Sequence, residues 1–447
     1  MKAIIRFNNK TLEAHLNKST IVDELYVIFT LETTPQFKRL KLDVHPKQDI
    51  LLKSIEIQLD THLDKTQSRI YCNGFLSSSE SRFYNFDEIP DHLRAIAKPF
   101  LGNSGDYHFI FIPRKKGILH TWSYGYIQNN NSEEIDFIGS LNENTGFTCL
   151  LYNADNQTVT IKKDVENLQL THSYPAIDVV LTKGTYPSVF DIFFSLQNIK
   201  KPQNLPLKNL TNIDRITKNI TENNALENLK LIAENKTEIE FYTIPQGWTT
   251  RIGDWVSIKN TFPNGMFKMA QLIHNQGLKA ALCLTPFVVE AQSQIFKTKP
   301  DWILCSPNDK PLKVGFAPQT LGWSQPYLYA LDFYNKDVQE YLTGVFHTIL
   351  DKWGYDMVQL DLLYAVCILP RPNKTRGQIM HDALAFLSQI VGNKMIFAGD
   401  VPLASAFGLV DYCRVGSDKY SHRENQVLKF LKYRERDSIS TVLKFDK

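Results

Sequence analysis

From Ile213 to beyond Arg423 one pattern repeats: a helical stretch runs directly into a short apolar stretch that reads as a strand. Helices and strands that alternate in this way build parallel sheets with right-handed crossovers, which limits this half of the chain to a barrel or a doubly wound sheet. The clearest unit is Phe262–Gly277, where Met266, Met269, Ala270 and Ile273 share one face and Gly277 marks the stop. The strand Leu278–Pro286 follows at once. Further helices are expected over Ile213–Glu234, Asp337–Trp353 and Gln378–Val391, and from near Arg423. Further strands are expected over Ile239–Ile244, Tyr355–Asp361, Lys394–Asp400 and Tyr412–Gly416. No glycine-rich turn of the kind that cradles phosphate opens any unit, which favours the barrel.

The residues before Lys200 obey a different rule. Short alternating runs such as Tyr26–Leu31, Tyr107–Ile112 and Thr158–Ile161 recur, split by Asn, Asp, Gly, Ser and Pro. Many short strands with frequent turns suggest a β-sandwich. The stretch Asn198–Pro206 reads as a linker, giving an N-terminal β-sandwich domain over 1–202 and a (β/α) barrel domain over 203–447. A chain of 447 residues is long enough for two or three such cores. Its formal charge of +3, with lysines scattered among acids, leaves no nucleic-acid footprint. No apolar run reaches the roughly 18–20 residues of a membrane span, and the start has no signal-peptide pattern. The six cysteines, Cys72, Cys149, Cys283, Cys305, Cys367 and Cys413, form no CxxC spacing. That argues against a zinc site or a disulfide framework and for a soluble protein of a reducing, cytoplasmic compartment.

Two strand patterns end on carboxylates. Alternation along Tyr355–Asp361 puts Met357, Gln359 and Asp361 on one face and Asp356, Val358 and Leu360 on the other. In a barrel the first set points inward, so Asp361 lies at the C-terminal rim, where catalytic groups collect. Asp418 follows the next strand but one, in Arg414-Val-Gly-Ser-Asp418. A glycosidase needs such a pair: one carboxylate attacks the anomeric carbon, and the other protonates the leaving oxygen and later activates water. The ordinary alternative for an Asp after a strand is a turn or cap residue.

Arg251-Ile-Gly-Asp-Trp255, Phe262-Pro263, Ile273-His274 with Gly277-Leu-Lys279, Lys299-Pro-Asp-Trp302, Tyr329-Ala-Leu-Asp332 and Gln359-Leu-Asp361 occur in that order. In this series the chain resembles the barrel of glycoside hydrolase family 36, the α-galactosidases and their raffinose-synthase-like relatives. Asn73-Gly-Phe75 through Ser81-Arg82, Ala97-Lys-Pro-Phe100 and Gly105-Asp-Tyr-His108 resemble that family's N-terminal sandwich. The resemblance implies a (β/α)8-type (TIM) barrel, retaining hydrolysis of α-galactosides, Asp361 as nucleophile on the fourth strand and Asp418 as acid/base after the sixth.

The chain departs from the family pattern in the sugar subsite. Two adjacent acids after the second strand are replaced within Ile244-Pro-Gln-Gly-Trp248, and a lysine two residues before the nucleophile is replaced by Gln359. Cys283 and Ser78 stand where the family has tryptophans, and the turn after the fifth strand reads Ala398-Gly-Asp-Val-Pro402. The first-strand motif is unrecognisable in Leu205–Asn212. Roughly thirty residues follow Asp418, too few for the last two barrel strands, so the barrel is expected to be incomplete at its C-terminus.

Candidate substrate-binding residues are therefore Gln246, Trp248, Gln359, Asp400 and Arg414. Trp248 is either a stacking face or a core aromatic; Asp400 either restores a pocket carboxylate or caps a turn. Arg414 either shares a face with Asp418 or pairs with an internal acid. The expected function is a retaining, α-galactosidase-like glycoside hydrolase acting on an α-linked galactoside or related sugar, with no metal and no cofactor. The competing expectation is an inactive relative that binds carbohydrate or a partner. The expected partner is an oligosaccharide or glycoside, with no nucleic acid and no membrane; a homo-oligomer stays open.

Overall fold

The computed structural model describes residues 1–76, 79, 81–90, 110–130, 132–206, 220–236, 238–316, 327–415 and 441–445. Between Lys2 and Thr185 it contains two antiparallel sheets, of seven and eight strands. Their strands alternate between buried and exposed residues, as in Lys38–Pro46 and Ile50–Asp60. Ile5, Ile57 and Ile161 of one sheet share a core with Val27, Leu42 and Val179 of the other, so the sheets pack face to face. Of the run Tyr107–Ile112, residues 110–112 are not a strand, and the rest lies outside the described residues. Pro113 follows and lacks a ladder donor, while Phe111 is 81% exposed.

A helix not anticipated from the sequence, α1 (Tyr186–Ser195), closes this half. Pro187 fits its first turn, and Val189, Phe190, Phe193 and Phe194 form its buried stripe. Phe194 reaches Phe407 of the second half, with ring centroids 5.4 Å apart.

The second half is built on a curled sheet of seven strands: β1 (Gln203–Pro206), β2 (Phe241–Ile244), β3 (Lys279–Leu284), β4 (Met357–Leu360), β5 (Met395–Ala398), β6 (Tyr412–Val415) and β7 (Thr441–Lys444). The hydrogen-bonded order is β1-β7-β6-β5-β4-β3-β2. Strands β2 to β6 run parallel in chain order, as the alternation predicts. The helices before them are α2 (Glu222–Glu234), α3 (Gly265–His274), α4 (Lys336–His347) and α5 (Arg376–Val391). Thr221 caps α2 by accepting the Asn224 N–H, and residues 207–219 lie outside the description. Met266, Met269, Ala270 and Ile273 of α3 are buried as read, but the helix stops at His274, before the left-handed Gly277.

The curl is visible in one contact. The rings of Phe241 on β2 and Tyr412 on β6 lie 6.0 Å apart. Four strand steps of a flat sheet would separate them by about 19 Å. Phe241, Ala281, Met357, Phe397, Tyr412 and Val442, with Leu205, fill the concave side as one cluster.

An eight-stranded barrel is not what the described residues form: β1 and β2 share no ladder, and β7 runs antiparallel to both β6 and β1. The expected open edge after β6 is thereby covered, because Cys413 pairs with Ala398 on one side and Leu443 on the other. A three-stranded antiparallel sheet (Val288–Glu290, Lys313–Phe316, Tyr327–Ala330) is inserted between β3 and α4. Among the described residues no helix is long and apolar enough to cross a membrane.

Candidate active site

The side chains at the C-terminal ends of β3 and β4 make the candidate site. Met357 lies in the concave cluster, whereas Val358 and Leu360 pack with the helices, so β4 alternates as the sequence predicts. Gln359 falls on the face of Met357, and Asp361 begins the loop, its N–H donating to Leu284 O at 3.0 Å. The register pairs Cys283 with Gln359 across β3 and β4. That pairing decides what surrounds the carboxylate. Cys283 Sγ–H donates to Asp361 Oδ2 at 3.2 Å. Gln359 Nε2 straddles the two carboxylate oxygens at 3.4 and 3.3 Å, a looser contact at the limit of hydrogen bonding.

Cys283 is the hub of the site. Burial pushes its thiol far above the ordinary range, and the charge and hydrogen bond of Asp361 push the same way. The thiol therefore keeps its proton and stays a donor to Asp361 across the neutral range. The Arg414 charge on β6 and a hydrogen bond from the Gln246 backbone N–H act in the other direction. The Arg414 guanidinium also stands 5.6 Å over the Phe397 ring.

Gln246, two residues past β2, buries both its amide N and its amide O, and among the described residues neither has a hydrogen-bond partner; nor do the buried Gln359 Oε1 and Thr285 Oγ1. Each such atom costs about 1–3 kcal/mol when left unsatisfied, so this cluster is built for something other than stability. The structure thus gathers Gln246, Gln359, Asp361 and Arg414 around a residue, Cys283, that the sequence marked only as a lost tryptophan. The sole sequence signal for it is the alternation that puts Cys283 on the face of Ala281.

Gly399, after β5, explains why a small residue stands there. A Cβ on it would lie 2.5 Å from Asp361 Oδ1. Asp400 follows in a left-handed conformation (φ 50°) and its carbonyl accepts the Tyr364 N–H at 3.0 Å. Leu362, next to the carboxylate, is also left-handed (φ 55°), a conformation that branched apolar residues rarely adopt.

Trp248 is corrected. It is fully buried, its indole N–H donates to Cys283 O at 2.8 Å, and it packs edge-on against Trp353 at 5.7 Å. It offers no face to a sugar; it fixes the end of β3 from behind. Asp254 is structural, as its oxygens accept the N–H groups of Gln294 and Ile295. Asp418 and Ser78 lie outside the described residues.

Residues 221–394 match the Melibiase family. The α-galactosidase Mel36A of Lactobacillus acidophilus is 27% identical over 145 residues, covering 30% of this chain and 18% of that protein. The α-galactosidase AgaA of Geobacillus stearothermophilus is 26% identical over 131 residues, 28% of this chain and 16% of that protein. The matched stretch thus spans less than a fifth of these relatives' length. Among solved structures, TtGalA, an α-galactosidase from Thermus thermophilus in complex with stachyose, superposes with a TM-score of 0.68 at 22% identity, covering 93% of this chain and 82% of that one. The crystal structure of AgaA, described as a GH36 α-galactosidase, gives 0.58 at 13% identity, covering 92% and 58%. These two carry the fold alone. Taken together, the Melibiase match over 221–394 and these relatives make the chain similar to the glycoside hydrolase family 36 α-galactosidases.

Proposed function

We propose that this protein is a retaining glycosidase that cleaves an α-linked galactoside or a related sugar. The supporting observation is the Asp361 carboxylate, held at the end of β4 by the Cys283 thiol at 3.2 Å, in a site with buried amide atoms that no group among the described residues satisfies. Asp361 would form a bond to the anomeric carbon as the glycosidic bond breaks, the leaving oxygen taking its proton from Asp418. Asp418 would then deprotonate a water that displaces Asp361 and releases the sugar. Gln246, Gln359, Asp400 and Arg414 would bind sugar hydroxyls.

On this reading the curled sheet is a shortened (β/α)8-type scaffold over 203–447, carried on a sandwich over 1–202. The six free cysteines suit a reducing, cytoplasmic setting. The TtGalA structures hold stachyose and p-nitrophenyl α-D-galactopyranoside, which makes these two compounds the first to try. Phenol release from the aryl α-galactoside is expected for the wild type and is lost in Asp361→Ala. A wild type inert toward aryl α-glycosides would sink the proposal.

A second reading, a non-catalytic carbohydrate-binding relative, is favoured by one feature: among the described residues, the side-chain donors to Asp361 are a thiol and an amide, not a cation. It predicts sugar binding that is indifferent to Asp361→Asn.

A further inference from the structure

Beyond the loop that carries Asp361 lies a second cleft, of about 240 Å³, which the proposed reaction does not use. Its walls come from three places: the turn at Cys305 and Ser306, the segment Leu331–Tyr334, and the loop Leu369–Pro372 that continues from Asp361. Val366, in the short helix Leu363–Cys367, also lines it. Val366 stands five residues after Asp361, so one segment of chain carries the carboxylate and then lines the cleft.

The polar groups of the cleft form a half-used ion pair. Arg371 Nη2 donates to Asp332 Oδ1, which also accepts the Tyr334 N–H at 2.9 Å. Among the described residues, Asp332 Oδ2 takes no hydrogen bond, and Asp332 is the one hydrogen-bond partner of the Arg371 guanidinium side chain. One acceptor and several donors are therefore presented side by side, the pattern that adjacent hydroxyls satisfy. The arrangement is rigid. The guanidinium stacks on Tyr334 at 4.6 Å, Tyr334 Oη–H donates to Asp382 at 2.6 Å, and Lys374 reaches the same carboxylate at 2.5 Å. Pro370 and Pro372 flank Arg371, whose backbone closes a turn with Lys374. The two cations face two carboxylates, Asp332 and Asp382, so the balance selects a neutral ligand, not an anion. Leu304 and Leu331 supply apolar wall for the C–H face of a ring.

We infer that this cleft is an accessory sugar subsite, which binds a non-reacting sugar unit of an oligosaccharide through Arg371 and Asp332. The inference rests on the proposed glycosidase reading for its substrate, but its test does not depend on turnover. Cys305 lines the cleft and is exposed, while the other five cysteines are buried. N-ethylmaleimide should therefore label Cys305 in the native full chain.

In the Asp361→Asn protein, stachyose at ten times its Kd should slow that labelling about tenfold, whereas galactose leaves it unchanged. Arg371→Met keeps the stem over Tyr334 and removes the donors. It should abolish the protection and, in an otherwise wild-type chain, lower kcat/KM for stachyose relative to the aryl α-galactoside by about tenfold. Labelling indifferent to saturating stachyose, or protection that survives Arg371→Met, overturns the subsite. Protection without any turnover of the aryl α-galactoside by the wild type overturns the catalytic reading and leaves the subsite standing.

Discussion

The carboxylate of Asp361 is positioned by neutral neighbours, and that makes its surroundings separable by mutation. Cys283→Ala removes the thiol donor and should lower kcat on an aryl α-galactoside by about tenfold, the worth of one hydrogen bond to a charged group. Cys283→Ser restores a donor and should recover most of the loss; equal losses in the two variants would mean that the residue acts by packing. Gly399→Ala should be worse, because its Cβ would sit 2.5 Å from Asp361 Oδ1. A folded protein, checked by circular dichroism, with at least tenfold lower kcat is expected. The inward direction of Asp361 was legible from the alternation of Met357, Gln359 and Asp361. The role of Cys283 was not, because it depends on the β3–β4 register and on which strand ends meet. Trp248 misled for a related reason: an aromatic after a strand looks the same in sequence whether it faces the pocket or the helices.

Helix α5 ties the two halves together through charges and a close backbone approach. Arg376 is buried, 3.1 Å from Asp164, and also meets Glu166. Burial works against the guanidinium charge, but Asp164 and Glu166 outweigh it and hold its pKa above the ordinary value. Arg376→Ala leaves Asp164 buried and uncompensated, and should cost about 3–5 kcal/mol in urea unfolding. Gly377 lies so close to the first half that a Cβ would meet Glu143 O at 2.6 Å, and Gly377→Ala should destabilise as well.

Asp356 binds neighbouring strands, accepting from Ala280 N–H at 2.9 Å and Lys394 at 3.2 Å, with His274 Nε2 at 2.7 Å. Burial alone would raise its pKa, yet these three partners bring it below the ordinary 3.8. A depressed carboxylate contributes stability above its unfolded pKa and loses it as pH falls through the folded value. Wild type should therefore lose more stability than Asp356→Asn below about pH 4. The helices and parallel strands of this half were readable because each carries its own periodicity. The inserted three-stranded sheet was not, since its antiparallel strands fall outside the helix–strand alternation. Nor was β7, whose partner strands are set by distant hydrogen bonds.

At the scale of the whole molecule, one apolar core runs without a break from Trp122, Phe137 and Phe193 of the first half to Ile244, Leu360 and Ala398 of the second. Strand β7 covers the edge of β6 and joins it to β1, so the candidate site stands on a sheet paired on both sides of β3, β4, β5 and β6. Such a scaffold can hold a nucleophile within the tolerance that covalent catalysis demands. The sharpest test uses an activated 2-deoxy-2-fluoro α-glycoside, which accumulates the glycosyl-enzyme, followed by peptide mass spectrometry. The account predicts one added sugar per chain, mapped to Asp361 and absent in Asp361→Asn. No adduct despite turnover of the aryl glycoside, or an adduct on another residue, would contradict it.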